Sequence, residues 1–268
     1  MSQSATRSRV LHEPRKDDMK TNGDVGVQEK KTWKTWKTWE RCVVIESDRV
    51  VKRELSEDEL IRRPNKDVLR PFWAKERLRN EAATVQFVAL NTTIPVPQCR
   101  LYTKDGLLHL ESKRITNGVL LTDISPELRS VAAAAVDEQI KSFVLPQLRS
   151  LRRKYIGSAD PSLPVFPPQR VYDRDRRPWE RISSATDCFV LCHNDLGPQN
   201  IFVCPDTFQI VGIIDWEYSG FFPPYFELPL WNVFDWTDEQ RLYDEANPRE
   251  LGFFGLKAED LEDCIPPP

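Results

Sequence analysis

The chain has 268 residues, with 38 Lys and Arg against 41 Asp and Glu, a net charge of −3. That length can bury a full core for one large domain or two small lobes, and so balanced a charge argues against nucleic acid or another polyanion as partner. No apolar run approaches the roughly 18 residues a membrane helix needs, and the first residues lack the apolar stretch of a secretory signal. No membrane partner and a cytoplasmic location are therefore expected, with the six cysteines as reduced thiols.

Residues Met1 to about Lys31 are polar, charged and poor in aliphatics, and read as disordered. Thr32-Trp33-Lys34-Thr35-Trp36-Lys37-Thr38-Trp39-Glu40 repeats a three-residue unit three times. It reads as a local expansion whose last copy enters the fold, or as a Trp-Lys interaction patch for a partner. Ordered structure is expected from about Trp39, which makes residues 1–38 a disordered tail carrying the repeat. Cys42–Ile45 and Val50–Lys52 form strands around a Ser47-Asp48 turn. A helix spans Ala74 to Leu90 with Leu78, Ala82, Val85 and Val88 or Ala89 as its buried stripe, closed by Asn91, Pro95 and Pro97. Leu101-Tyr102, the Lys104-Asp105-Gly106 turn and Leu107–Leu110 form a hairpin in which His109 is an ordinary strand residue.

Ser125 and Pro126 open a long helix running to about Lys154 and kinked at Pro146. Residues 157–187, rich in proline and charge, read as loop. Strands follow at 189–192, 201–204 and 210–214, then short helices. Cys188, Cys192 and Cys204 lie near His193, but no C-x-x-C pair accompanies them, and several cysteines sit in apolar strands, so they read as core thiols rather than a zinc site.

Chemistry concentrates in Cys192-His193-Asn194-Asp195-Leu196-Gly197-Pro198-Gln199-Asn200 and Gly212-Ile213-Ile214-Asp215-Trp216-Glu217. H-x-D-L-x-x-x-N, two apolar strands and a second acid place an Asp, an Asn and another Asp at the mouths of neighbouring strands. Phosphoryl transfer from ATP uses such a set: one carboxylate orients the attacking hydroxyl, and the Asn and second carboxylate hold magnesium on the phosphates.

With the blocks Asn91–Pro97, Tyr155–Ser158 and Gly220-Phe221-Phe222-Pro223, these motifs give a chain that resembles the aminoglycoside phosphotransferase and choline kinase-like superfamily, in its fungal-type branch, from about Val43 to Trp231. The resemblance implies an α+β, two-lobed protein kinase-like fold. A small β-rich nucleotide-binding lobe would occupy residues 39–115. A larger, mainly helical catalytic lobe would occupy 116–268, with the part after Trp231 brief enough to suggest truncation of the acceptor region.

The resemblance also implies roles. Asp195 would be the base, with His193 supporting the loop. Asn200 and Asp215 would ligate Mg2+, and Glu217 is either an accessory acid or a solvated one. Lys52 would contact the phosphates of ATP and pair with Glu81. Backbone groups of Ser112, Lys113 and Arg114 would bond the adenine edge.

Protein kinases carry Lys where Gly197 stands and Phe-Gly where Trp216-Glu217 stands, and no Ala-Pro-Glu segment follows here. The implied acceptor is therefore a small-molecule hydroxyl. The alternatives are a catalytically degraded binding protein of the same fold, or a partner-binding adaptor acting through the Trp-Lys repeat. No glycine-rich turn separates the first strands, so two readings of the N-terminal segment stay open: a dispensable tail, or a stretch from Gly23 to Trp39 that folds over the ATP as a substitute loop.

Overall fold

Residues 32–65, 67–172 and 179–260 are described in the computed structural model of the protein; most of the expected tail, residues 1–31, lies outside them. Five strands form an antiparallel sheet: β1 (Thr32–Lys37), β2 (Cys42–Glu46), β3 (Arg49–Arg53), β6 (Cys99–Lys104) and β7 (Leu107–Lys113), in the order β1-β2-β3-β7-β6. A small ribbon of β4 (Ile61–Arg62) and β5 (Val68–Leu69) lies between β3 and the first helix in sequence.

The Trp-Lys repeat is the first departure from expectation. Residues Thr32–Lys37, ahead of the expected start at Trp39, form a strand, and the repeat pairs as an edge strand, Trp36 opposite Val43 and Lys37 opposite Cys42. Thr and Trp favour pleated backbone. The period of two that marks a half-buried strand is missing because Lys34, Thr35, Trp36 and Lys37 are all exposed.

Helix α1 (Ala74–Asn91) lies against β6 and β7. Its stripe of Leu78, Ala82, Val85 and Val88 is buried as periodicity requires, with Leu78 and Ala82 packing on Leu110. The helix ends where Thr92 donates both its N–H and its hydroxyl to the Val88 carbonyl, at 2.9 and 2.8 Å. In the β6–β7 hairpin both loop residues, Asp105 and Gly106, have positive φ of 53° and 77°, the backbone of a type I′ turn.

The rest of the chain sets helices around two three-stranded sheets. One is β13-β10-β9, from β9 (Arg152–Arg153), β10 (Phe189–Cys192) and β13 (Gly220–Phe222). The other is β12-β11-β8, from β8 (Val119–Leu120), β11 (Ile201–Val203) and β12 (Ile210–Ile213). The expected long helix divides into α2 (Pro126–Gln139), a π-helical turn (Ile140–Val144) and α3 (Leu145–Ser150). Pro146 has no N–H, and next to it the Leu145 N–H reaches back to the Ile140 carbonyl, the wider spacing of a π turn. The helix stops before Lys154 because the Leu151 carbonyl accepts from Leu191 and Arg152–Arg153 pairs with β10.

Two further elements differ from expectation. The loop 157–187 contains a helical turn, α4 (Gln169–Tyr172), and the C-terminal region forms one 18-residue helix, α5 (Trp236–Phe253), with Pro248 inside it. Asp235 caps α5 by accepting the Thr237 N–H at 2.7 Å. The core beneath the site includes Ile140, Leu191, Ile213, Trp216, Phe221 and Phe226. The architecture is α+β, and no helix among the described residues is long and apolar enough to cross a membrane.

Candidate active site

Strand β10 is buried along its whole length and delivers the chain into the 193–200 loop, which a 3-10 turn at Pro198–Asn200 passes on to β11. His193 is fully buried and holds this loop to the next one. Its Nε2 lies 3.0 Å from the Ile214 carbonyl, and its Nδ1 accepts the Asp195 N–H at 3.3 Å. A carbonyl only accepts and an amide only donates, so the imidazole is the neutral Nε2–H tautomer. Burial pushes its pKa down to about 4, and Trp216 lies 4.4 Å away, centroid to centroid. His193 thus bridges the Asp195 N–H and the Ile214 carbonyl, with both ring nitrogens engaged.

Asp195 follows, half-buried. Asn200 Nδ2 donates to its carbonyl at 2.7 Å and to Oδ2 at 2.9 Å, and Gln199 Nε2 to Oδ1 at 3.4 Å. Burial, and then the charge of nearby Asp215, push the Asp195 carboxyl up to about 7 despite the Asn200 bond. Asn194 and Asp215 hold φ of 69° and 65°, left-handed backbone that non-glycine residues adopt at a cost. Asn194 is fixed by donating Nδ2 to the Tyr218 carbonyl at 2.9 Å. Gly212, in the second motif, leaves room for Ile115: a Cβ there would sit 2.3 Å from that side chain.

Lys52 on β3 spends its ammonium donors on both oxygens of Glu81, at 2.8 and 2.9 Å, and on Asp215 Oδ1 at 2.6 Å. Burial disfavours its charge, but Asp215 and Glu81 outweigh burial and raise its pKa. The same cation, with Arg41, overcomes burial at Asp215 and holds that carboxylate below its ordinary range, whereas burial raises Glu81.

A second layer of charge was not foreseen. Arg41, on the β1–β2 turn, pairs with Glu217. Arg77 of α1, fully buried, contacts Glu40 at 2.7 Å, Tyr218 Oη at 2.5 Å and Glu217 at 3.5 Å. Glu217 is thus a buried partner of two arginines, not a solvated acid. Neighbouring Asn80 donates to the Glu217 and Ser219 carbonyls, each at 2.9 Å.

Behind the loop, the Glu227 carboxylate accepts the N–H groups of His193 and, at 3.3 Å, Asn194. Arg170 of α4 donates to the Asn194 carbonyl at 2.8 Å, to the Phe226 carbonyl at 2.5 Å and to Glu250 of α5 at 2.5 and 2.9 Å. The loop 157–187 and helix α5 therefore brace the Asp195 loop from below.

Ser112, Lys113 and Arg114 serve the sheet. Ser112 pairs with Val50 on one side and Cys99 on the other. The Lys113 N–H donates to Gln98 at 2.8 Å and the Arg114 N–H to Asp48 at 2.9 Å. The adenine edge expected at this segment would find these two amides already taken.

Among the described residues, Glu81, Asp215 and Glu217 each offer a carboxylate oxygen within 4.8 Å of the others. No described donor bonds Asn200 Oδ1, since its NH2 is the group that faces Asp195. Carboxylate and amide oxygens gathered this closely are the donor type a hard divalent cation takes.

A family model described as the phosphotransferase enzyme family matches residues 45–260. The chain belongs to that family. No curated protein matches it. Among solved structures, it is similar to an aminoglycoside phosphotransferase of Streptomyces rimosus, APH(3'')-Id, in complex with ADP and streptomycin, at 17% identity over 81% of this chain and 84% of that one, with a TM-score of 0.46. It is also similar to the apo form of a thermostable mutant of the aminoglycoside phosphotransferase APH(4)-Ia, at 14% identity over 84% of this chain and 81% of that one, with a TM-score of 0.47.

Proposed function

We propose that the protein transfers the γ-phosphoryl group of ATP to a hydroxyl of a small molecule, in a cleft between a sheet-bearing N-terminal lobe and a catalytic C-terminal lobe. The observation that carries this reading is the Lys52 ammonium between Glu81 and Asp215, beside an Asp195 whose environment differs sharply from that of Asp215. One acid is kept ionised by its cations and the other is raised to about 7, the division of labour that separates a metal ligand from a general base. Family membership supports the phosphotransferase class.

In this reading the nucleotide phosphates meet Lys52, which Glu81 and Asp215 hold in place. Asp215 and Asn200 Oδ1 would hold Mg2+, which when bound neutralises charge on the phosphates. Asp195, oriented by Asn200, accepts the proton of the acceptor hydroxyl. The acceptor oxygen forms its bond to the γ-phosphorus as the bond to the bridging oxygen breaks, and ADP leaves. Most of the catalysis is positioning and charge neutralisation, which suits a site built from interlocked ion pairs.

Thermal melting tests the nucleotide step. ATP with Mg2+ at 100 times its dissociation constant is expected to stabilise the fold by about 2.7 kcal/mol, and no stabilisation at saturating concentrations would contradict the reading. A screen of small alcohols, amino alcohols and sugars for phosphorylation then identifies the acceptor.

A further inference from the structure

A loop that covers ATP phosphates commonly does so with backbone amides, which is why glycines recur there. This chain has no glycine between Gly26 and Gly106. The turn that brings Arg41 to the carboxylate cluster, Thr38–Arg41 between β1 and β2, also has three of its amides engaged. The Thr38 N–H donates to the Arg41 carbonyl at 2.9 Å, and the Glu40 and Arg41 N–H groups donate to Thr38 Oγ1 at 3.2 and 3.1 Å. What the turn offers the site is a side chain. Arg41 is 8% exposed, Nη2 touches Glu217, and Nη1 has no hydrogen-bond partner among the described residues. A buried guanidinium with an unspent donor is costly unless something completes it. Arg41 also lies within electrostatic reach of Asp215, Glu81 and Lys52.

We propose that Arg41 is a nucleotide phosphate ligand that replaces the amide cradle of a glycine-rich loop: its planar donor fork, parked on Glu217, engages phosphate oxygens beside Lys52 when ATP binds. Arg is the side chain suited to this, because its donors match two phosphate oxygens at once. Arg77, already committed to Glu40 and Tyr218, holds the opposite side of Glu217 and keeps that carboxylate in place when Arg41 turns away. The inference rests on the phosphotransferase reading and adds the residue that grips the phosphates.

The test is calorimetric titration of the full chain with ATP and, separately, adenosine, each with Mg2+. The proteins are wild type, Arg41→Ala, Arg41→Lys, Glu217→Gln and the double variant Arg41→Ala with Glu217→Gln. The double variant, compared with Glu217→Gln alone, removes the arginine without stranding a buried carboxylate. Loss of charge-assisted bonds to phosphate is expected to weaken ATP about tenfold or more, about 1.4 kcal/mol or above, in Arg41→Ala and in that comparison. Adenosine affinity stays unchanged, and Arg41→Lys recovers part of the loss. ATP affinity within about twofold in that comparison, or equal losses for ATP and adenosine, overturns the assignment and makes Arg41 a structural residue. Wild-type protein that binds neither ligand contradicts the phosphotransferase reading itself, a result visible before any variant is made.

Discussion

Lys52 and Asp215 stand 163 positions apart in the chain, yet their charged atoms are 2.6 Å apart. This contact ties the N-terminal sheet to the loop after β12, and Glu81 on α1 completes it from the other side at 2.8 Å. The three groups act as one unit. Removing Lys52 leaves two carboxylates facing each other, so Lys52→Met is expected to weaken ATP binding strongly. In a cycle with Glu81→Gln, the double variant should cost clearly less than the two singles summed. Strict additivity of the apparent ATP constants would separate the two residues.

With Asp195 as the proposed base, this residue is expected to set the pH dependence. A base must be ionised to work, and burial and Asp215 bring this carboxyl to about 7. kcat/KM should therefore rise with pH through about 7 and level off above it, with His193, held near 4, adding no limb in this range. The stability consequence has the opposite sign. The folded pKa lies above the ordinary 3.8, so the folded state prefers the protonated acid and loses stability as pH rises from about 4 to about 7. Asp195→Asn should raise the Tm of the free protein at pH 8 and leave it nearly unchanged at pH 4. An equal gain at both would remove the titration from the account.

Arg170 and Glu250 are 2% and 1% exposed. Breaking a buried pair strands a charge and costs about 3–5 kcal/mol. Glu250→Gln should destabilise less than Arg170→Ala, because Arg170 also supports the Asn194 and Phe226 carbonyls. Both should lower kcat more than they raise KM for ATP, since they disturb the Asp195 loop and leave Lys52 in place. Denaturant titration and steady-state kinetics read the two effects.

A chain beginning at Thr38 would lack β1 and leave β2, still paired with β3, as the sheet edge. The Thr38–Arg41 turn would lose its support, so this chain should melt earlier and bind ATP more weakly than one beginning at Thr32. Equal affinity by calorimetry would return the Trp-Lys repeat to the role of a dispensable tail.

Much of this site was legible from local pattern. The α1 stripe, the Asp105-Gly106 hairpin and the spacing from His193 to Asn200 carry signals of period, turn chemistry and motif. The pairing of Lys52 with Glu81 is implied by the family resemblance, laid onto a lysine that ends an apolar strand and a glutamate on the next helix. Other features had no such signal. β1 is exposed from Lys34 to Lys37, and its sequence shows a period of three. Pro248 disguised the continuity of α5. Arg41, Arg77 and Arg170 belong to a chain in which 29% of residues are charged, and nothing local distinguishes an arginine bound for burial from a solvated one. Their partners Glu217 and Glu250 are brought to them by tertiary structure alone. The sheet partners of the Lys113 and Arg114 amides, Gln98 and Asp48, lie outside that stretch of sequence and leave no signal within it.

In the proposed mechanism Asp195 serves as the base of phosphoryl transfer while Lys52 and Asp215 hold the nucleotide. The most direct measurement is acceptor-dependent ADP formation by wild type and Asp195→Asn, run with ATP titrations of both proteins. Asp195→Asn is expected to bind ATP with Mg2+ about as tightly as wild type and to form no ADP above background with the acceptor present. Turnover by Asp195→Asn near the wild-type rate would contradict it.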